Sequence, residues 1–143
     1  MRIWTLRSCA RQSAVRAVDT NVVVRLLIAD NPLQTTAAEK LVAEHEVLVP
    51  VTVILETEWV MRSGYAFNPM EIAAGLRRLG GLPGVTVEQS GEVARALEWL
   101  EQGMDFADAL HLARTTHCDA FVTFDRKFAN RAEALGAPPV ELL

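Results

Sequence analysis

Short apolar runs alternate with longer amphipathic segments along the chain from Val15 onward. The runs are only three or four residues long, which is typical of strands buried in a parallel sheet. The segments between them carry apolar residues at helical spacing, and Asn, Pro or Gly residues bound most of them. This alternation predicts an α/β fold, namely a three-layer α/β/α arrangement around a central, mostly parallel sheet.

The same pattern predicts the position of each element. Strands are expected at 15–18, 47–49, 85–87, 120–123 and 140–142. Helices are expected over 22–29, 33–45, 53–62, 69–79, 90–101, 105–116 and 127–135, with Thr52 and Asn68 as caps. No repeat or linker interrupts them, so residues 15–143 are predicted to form one domain. Residues 1–14 are basic and contain no acid, and we expect a disordered N-terminal extension there.

Composition and charge narrow the functional classes. The chain has 143 residues, of which 50% are hydrophobic and 22% charged, as in an ordinary globular domain. Four of the 14 basic residues lie in the first sixteen positions, whereas all 18 acidic residues follow them. A domain this acidic does not hold nucleic acid by bulk charge, so phosphate chemistry would require metal ions or a local basic rim.

The cysteines and the hydropathy pattern bear on location. Cys9 and Cys118 offer neither a metal-ligand spacing nor a disulfide framework, which favours a reducing, cytoplasmic environment. No apolar stretch reaches about 18 residues, so no membrane span is expected.

Four acids are predicted to lie along one edge of the sheet. Asp19 directly follows the first strand, and Asp125 comes two residues after Thr123 at the end of the fourth. Glu56 and Asp108 lie early in helices that begin near the same edge. Ligands bind beyond the carboxyl ends of parallel strands, which makes these side chains candidates for a site. Clustered carboxylates repel one another unless a hard divalent cation neutralises them, and such a cation activates water toward phosphate esters.

Each acid also has a purely structural interpretation. Asp19 could cap the helix that follows it. The segment from Asp105 to Asp108 resembles a capping box, in which Asp105 is the better cap. Asp108 is the better ligand, because it stands among apolar residues where an unpartnered carboxylate is costly. Glu56 is followed by Glu58, and one of these two glutamates could simply face water.

Four blocks of the sequence resemble the conserved blocks of PIN-domain ribonucleases. They are Asp-Thr-Asn-Val-Val-Val-Arg-Leu-Leu at 19–27, Val-Pro-Val-Thr-Val-Ile-Leu-Glu-Thr-Glu-Trp-Val at 49–60, Asp-Phe-Ala-Asp-Ala-Leu-His-Leu-Ala at 105–113 and Val-Thr-Phe-Asp-Arg-Lys-Phe at 122–128. Their order and spacing are similar to those of the VapC toxins of type II toxin–antitoxin pairs. The resemblance extends over residues 15–143.

The resemblance implies a toxin that hydrolyses RNA with Mg²⁺ or Mn²⁺ and metal-activated water. The implied metal-binding and catalytic acids are Asp19, Glu56, Asp108 and Asp125, with Asn21, Thr123 and Asp105 in support. Lys127 stands where the family often has a further Asp, which weakens a second metal site. A cognate antitoxin is implied as a partner, and we expect a homodimer as well.

Several surfaces could serve the expected partners. Arg25, Arg126 and Lys127 are candidate RNA-binding residues, and Arg62 and Arg114 could extend the same basic rim, although all could be ordinary solvated charges. Apolar positions on the early helices are candidates for a dimer face or for a groove that receives an antitoxin helix. They are Leu26, Leu27, Ala37, Ala38, Leu41 and Trp59.

Three other functions compete with the ribonuclease interpretation. A catalytically inactive PIN-like binding module would have the same fold. A haloacid-dehalogenase-type phosphatase needs a second Asp two residues after the first, where this chain has Asn21. A receiver-like signalling module needs an acidic pair at the end of the first strand and a phosphoacceptor Asp at another. Here the second strand ends in Val49-Pro50 instead.

Overall fold

The structure is a computed structural model of the chain that describes residues 15–143. The N-terminal extension expected at 1–14 lies outside the described residues. The strands are β1 (Val15–Ala17), β2 (Glu46–Val49), β3 (Val85–Val87), β4 (Phe121–Thr123) and β5 (Val140–Leu142). The helices are α1 (Thr20–Leu27), α2 (Pro32–Glu44), α3 (Val51–Ser63), α4 (Pro69–Gly80), α5 (Ser90–Glu101), α6 (Phe106–Ala113) and α7 (Arg126–Ala134).

All strand pairs in the described part of the chain are parallel. One sheet has the order β1-β2-β3, with Val15 opposite Glu46 and Val47 opposite Val85. A second sheet pairs β4 with β5 and sets Phe121 opposite Val140. Helices separate consecutive strands, as parallel pairing requires. The α/β class and the parallel pairing predicted from the sequence are confirmed.

The chain divides into two compact units. The first comprises the described residues up to Thr57 together with Gly75–Glu88, and it contains the three-stranded sheet with α1 and α2. Its core includes Val23, Val47, Val49 and Ile54, none of which is more than 1% exposed. β1 lies at the end of the strand order, and all three of its residues are exposed. The apolar pattern that predicted a buried first strand is therefore wrong on this point.

The second unit comprises Glu58–Ala74 and Gln89–Leu143. It contains the β4-β5 sheet and helices α5, α6 and α7, of which α5 and α6 pack closely together. Phe106 and Leu112 of α6 are each 1% exposed, and Phe128 of α7 is buried as well. Burial of these side chains holds the N-termini of α6 and α7 in place.

Capping residues explain several helix boundaries. Asn68 and Glu71 form a reciprocal capping box: each side chain accepts the other's backbone N–H, at 2.9 and 3.0 Å. This start was predicted correctly. The expected cap at Thr52 is wrong, because α3 begins at Val51, two residues earlier than predicted, and the Val51 N–H donates to Oε1 of Glu88 at 2.9 Å. A cap from such a distant residue leaves no local signal.

Other helix boundaries also differ from the prediction, and two of them have a clear cause. α1 begins at Thr20, two residues earlier than expected, because Asp19 caps it. α6 ends at Ala113 rather than at residue 116. Just after this end, the Thr115 hydroxyl donates to the His111 carbonyl at 2.8 Å and the chain turns. Within residues 15–143, every helix is too short or too polar to span a bilayer.

Candidate functional site

In the first unit, Asp19 lies at the N-terminus of α1. One oxygen of its exposed carboxylate, Oδ1, accepts the Val22 N–H at 3.3 Å, so Asp19 is the N-cap of the helix. The structural interpretation of this residue is thus correct. It does not exclude a second role, because Oδ2 is not engaged by the cap. Asp19, Asn21 and Arg25 line a cavity of about 590 Å³ together with residues of α2.

Glu56 is joined to the same helix end through a residue that the sequence analysis did not identify. The buried hydroxyl of Thr20 donates a hydrogen bond to Oε1 of the exposed Glu56. Thr20 directly follows Asp19, so this bond brings the Glu56 carboxylate of α3 to the beginning of α1. A hydroxyl residue directly after the first acid is the one signal that could have revealed this contact.

In the second unit, three aspartates line one cavity of about 560 Å³. Asp105 caps α6 by accepting the Asp108 N–H at 3.2 Å, as the sequence predicted. Asp125 caps α7 by accepting the Phe128 N–H at 3.1 Å, a role that the sequence analysis missed. The Asp125 N–H donates in turn to the Thr123 hydroxyl at 3.0 Å, which places Thr123 directly beneath it. Two backbone contacts therefore fix the position of Asp125.

The surroundings of Asp108 perturb the ionisation of its carboxyl group. Burial raises the pKa of its carboxyl, and the neighbouring charges of Asp105 and Asp125 raise it further. His111, one turn along the helix, lowers the pKa by a smaller amount. Ionising Asp108 is thus less favourable in the protein than in water, and a cation close to its oxygens would offset that difference. Asp105 is the cap, as predicted, and the ligand role of Asp108 stays a prediction.

The donor chemistry of this cavity suits a hard divalent cation. Asp105, Asp108 and Asp125 offer only carboxylate oxygens, which are the ligands that Mg²⁺ and Mn²⁺ prefer. Residues 15–143 contain no group of three or more His, Cys, Asp or Glu side chains that by itself would hold a metal ion. Mg²⁺ is commonly held by one or two carboxylates together with water and substrate phosphate. The residues present therefore fit a cation that shares its coordination with substrate.

Basic side chains line the same cavity. They are Lys127, Arg62 and Arg131. Arg62 is hydrogen-bonded to Glu58, which is 2% exposed. Of the two glutamates on α3, Glu56 is thus the exposed one, and Glu58 is buried in an ion pair.

The remaining candidate RNA-binding residues differ in their surroundings. Arg25 donates to Gln34 and forms a salt bridge with Asp30, each at 2.7 Å, so its guanidinium is engaged within the first unit. Arg126 is exposed and lines a shallow groove of about 470 Å³ along α7 together with Lys127 and Arg131. The second unit thus has a basic surface beside its acidic cavity. Arg131 was not singled out from the sequence, although its spacing of four residues from Lys127 places both on one helix face.

Comparison with known proteins places this geometry in a family. Residues 16–134, most of the chain, match the PIN domain, and the match includes all four sequence blocks. None of the curated proteins is significantly similar to the chain. PIN domains are typically metal-dependent nucleases, and the match is consistent with the expected three-layer α/β/α fold. The chain therefore belongs to the PIN domain family.

Proposed function

We propose that this protein is an endoribonuclease that depends on Mg²⁺ or Mn²⁺ and hydrolyses RNA phosphodiester bonds. The observation that carries the proposal is the convergence of Asp105, Asp108 and Asp125 on one cavity, where the pKa of Asp108 is raised. Structural carboxylates are seldom placed so that the charges of two of them disfavour the ionisation of a third, as here at Asp108. In a PIN domain, such a group is best explained as a cation site.

The proposal assigns a role to each acid of the four sequence blocks. The proposed metal ligands are the four acids that the family resemblance implies, namely Asp19, Glu56, Asp108 and Asp125. Asn21, Thr123 and Asp105 are supporting residues. When bound, the divalent cation supplies a water molecule of lowered pKa and neutralises charge on the phosphate.

The protein's own contribution is orientation and charge. At Asp19 and Asp125 one carboxylate oxygen is engaged by a backbone N–H, so the side-chain rotamer is held and Oδ2 is left for a ligand. Thr20 orients Glu56 in the same way. Lys127 lines the acidic cavity and attracts the phosphate, but it has no lone pair with which to coordinate a cation while charged. Positive side chains that do not coordinate the cation are therefore available to bind the phosphate of the substrate.

Cleavage of labelled single-stranded RNA by the purified full chain tests this proposal. We expect cleavage with Mg²⁺ or Mn²⁺ and none with EDTA. Asp108→Asn and Asp125→Asn should each lower the rate by more than about 100-fold, because they remove a proposed ligand rather than its support. Asp119→Asn is the matched control, since Asp119 is exposed and does not line the cavity. Cleavage that persists in EDTA would overturn the proposal, and RNA binding without cleavage would indicate an inactive PIN-like binding module.

We also propose that the nuclease is a cytoplasmic toxin with a cognate antitoxin. The cavity between α1 and α2 combines Asp19 with the apolar side chains of Ala37, Ala38 and Leu41. An amphipathic antitoxin helix could place apolar residues in this groove and an Arg or Lys against Asp19. Leu33 on α2 is 86% exposed, which suits a covering partner or a second copy of the chain. Induced expression in bacteria should arrest growth, and Asp108→Asn should abolish the arrest.

A further inference from the structure

Glu58 and Arg62 form an ion pair in the wall of the aspartate cavity, and their side chains differ strongly in exposure. Nε and Nη2 of Arg62 donate to the two oxygens of Glu58 at 2.9 and 3.3 Å, one helical turn apart on α3. The Glu58 side chain is 3% exposed, whereas that of Arg62 is 49% exposed. Both residues line the cavity that contains Asp105 and Asp108.

The arrangement is unlike an ordinary surface pair along a helix. Exposed pairs at this spacing hold two mobile side chains and contribute little to stability. Here the buried carboxylate of Glu58 accepts two hydrogen bonds from one side of the guanidinium. These bonds restrict the rotamers of Arg62 before any ligand binds. A guanidinium has five N–H donors in a rigid fork, and Glu58 engages two of them.

The surroundings of Arg62 favour its protonated, positively charged form. The hydrogen bond to Glu58 raises the pKa of the guanidinium, and the charge of Asp105 adds to the effect, while burial opposes it. Arg62 therefore remains a cation next to the aspartates. A fixed, permanently charged fork facing a cavity of carboxylates is suited to an anion that enters together with a metal ion, and phosphate oxygens match its geometry.

We propose that Arg62 binds a non-bridging phosphate oxygen of single-stranded RNA in this cavity, and that Glu58 is a positioning residue that holds the guanidinium there. This inference rests on the proposed ribonuclease function and adds a substrate-binding residue to it. Arg62 contributes recognition of the phosphate, whereas the aspartates hold the cation.

RNA binding in a non-cleaving background tests the role of Arg62. Fluorescence anisotropy with a labelled single-stranded RNA of mixed sequence is measured for Asp108→Asn with Mg²⁺ at several salt concentrations. Adding Arg62→Gln should weaken binding and lower the slope of log affinity against log salt by about 0.7, the value for one lost phosphate contact on a single strand. Arg78→Gln removes the same charge from an exposed position of α4 outside the cavity, and it should leave the slope unchanged.

Two further variants separate the shape of the side chain from its charge. Arg62→Lys should keep the salt slope but weaken binding, because an ammonium lacks the planar fork. Glu58→Gln should weaken binding as well, and the Glu58→Gln/Arg62→Gln double variant should bind no worse than Arg62→Gln alone. Such non-additivity is expected if Glu58 acts through Arg62, and a merely structural Glu58 would instead add its own loss.

The outcomes separate this inference from the function on which it rests. If the wild-type chain does not cleave RNA with Mg²⁺ or Mn²⁺, the proposed function fails. If it does cleave, but Arg62→Gln has the same salt slope as Arg78→Gln, Arg62 is only the structural partner of Glu58 and the inference is overturned. Circular dichroism checks the folding of each variant. Should Arg62→Gln fail to fold, Arg62→Lys decides the matter, since unchanged RNA binding by that variant would also overturn the inference.

Discussion

Oδ2 of Asp105 accepts the backbone N–H of Asp108 at 3.2 Å, and both carboxylates line the same cavity. The first residue therefore positions the turn of α6 on which the second is presented. The charge of Asp105 also disfavours the ionised state of Asp108, because like charges repel across a short distance. The helix thus begins with one acid that stabilises it and one whose charge is unfavourable there. Substitutions that separate hydrogen bonding from charge can distinguish these two roles.

The first prediction concerns the cap. Asp105→Ala should lower the free energy of unfolding by about 1 kcal/mol, or about 2–4 °C in Tm, because α6 loses its N-cap acceptor. Asp105→Asn should be nearly neutral, since Asn caps helices as well as Asp does. Thermal unfolding followed by circular dichroism measures both. If the Asn variant were as unstable as the Ala variant, the charge of Asp105 rather than its cap would support the helix.

The second prediction concerns the pH dependence of stability at Asp108. Folding raises the pKa of this carboxyl, chiefly through burial, so its ionised form destabilises the folded state at neutral pH. In EDTA, Asp108→Asn should therefore be at least as stable as the wild type at neutral pH. As the pH falls through the raised pKa, the wild-type carboxyl takes up a proton and this advantage should disappear.

Denaturant unfolding of both proteins at a series of pH values provides the measurement. Asp119→Asn is the matched control, because that exposed residue undergoes the same chemical change outside the cavity. An Asp108→Asn variant that is less stable than wild type at neutral pH would mean that the carboxylate contributes a structural bond not accounted for by its neighbours.

The helix caps show how far the sequence could predict this site. The caps at Asn68 and Asp105 were predicted correctly, because each accepts from a residue three positions on and the pattern is local. Asp125 was identified as an acid at a strand end, but the cap that it provides to the Phe128 N–H was not predicted. The hypothesis that a residue is a ligand does not exclude a structural role for the same side chain.

Contacts between residues distant in the chain could not be predicted from the sequence. Nothing near Val51 indicates that Glu88 supplies its acceptor, and nothing near Glu56 indicates that Thr20 holds it. The burial of Glu58 was equally hidden, because two glutamates two positions apart point to different sides of a helix and the sequence does not say which side is covered. Local patterns predicted the elements, whereas these pairings depend on tertiary packing.

The third prediction tests the contact between Thr20 and Glu56. Thr20→Val preserves the shape of the buried side chain but removes the hydroxyl that donates to Glu56. If Glu56 is a metal ligand, its carboxylate loses its orientation, and RNA cleavage should fall by about 10- to 100-fold. Thr20→Ser retains the hydroxyl and should cleave RNA at close to the wild-type rate. Equal activity of the Val and Ser variants would contradict an orienting role for Thr20.

The last prediction concerns the number of metal ions that the free protein binds. Lys127 lines the cavity of Asp108 and Asp125, and the family resemblance implies a further acid at its position. Its ammonium group cannot coordinate a cation, and its charge disfavours a second one nearby. Calorimetric titration of the metal-free protein with Mn²⁺ should therefore reveal at most one tight site in the absence of RNA.

Reversing the charge at this position should change the stoichiometry. Lys127→Asp introduces a carboxylate into the cavity and should create or strengthen a second Mn²⁺ site. Arg126→Asp makes the same change in charge at the preceding exposed residue, which does not line that cavity, and should leave the number of tight sites unchanged. A gain in both variants would show that net charge alone controls the affinity for metal. Two equally tight sites in the wild-type protein without RNA would show that Lys127 does not limit metal binding.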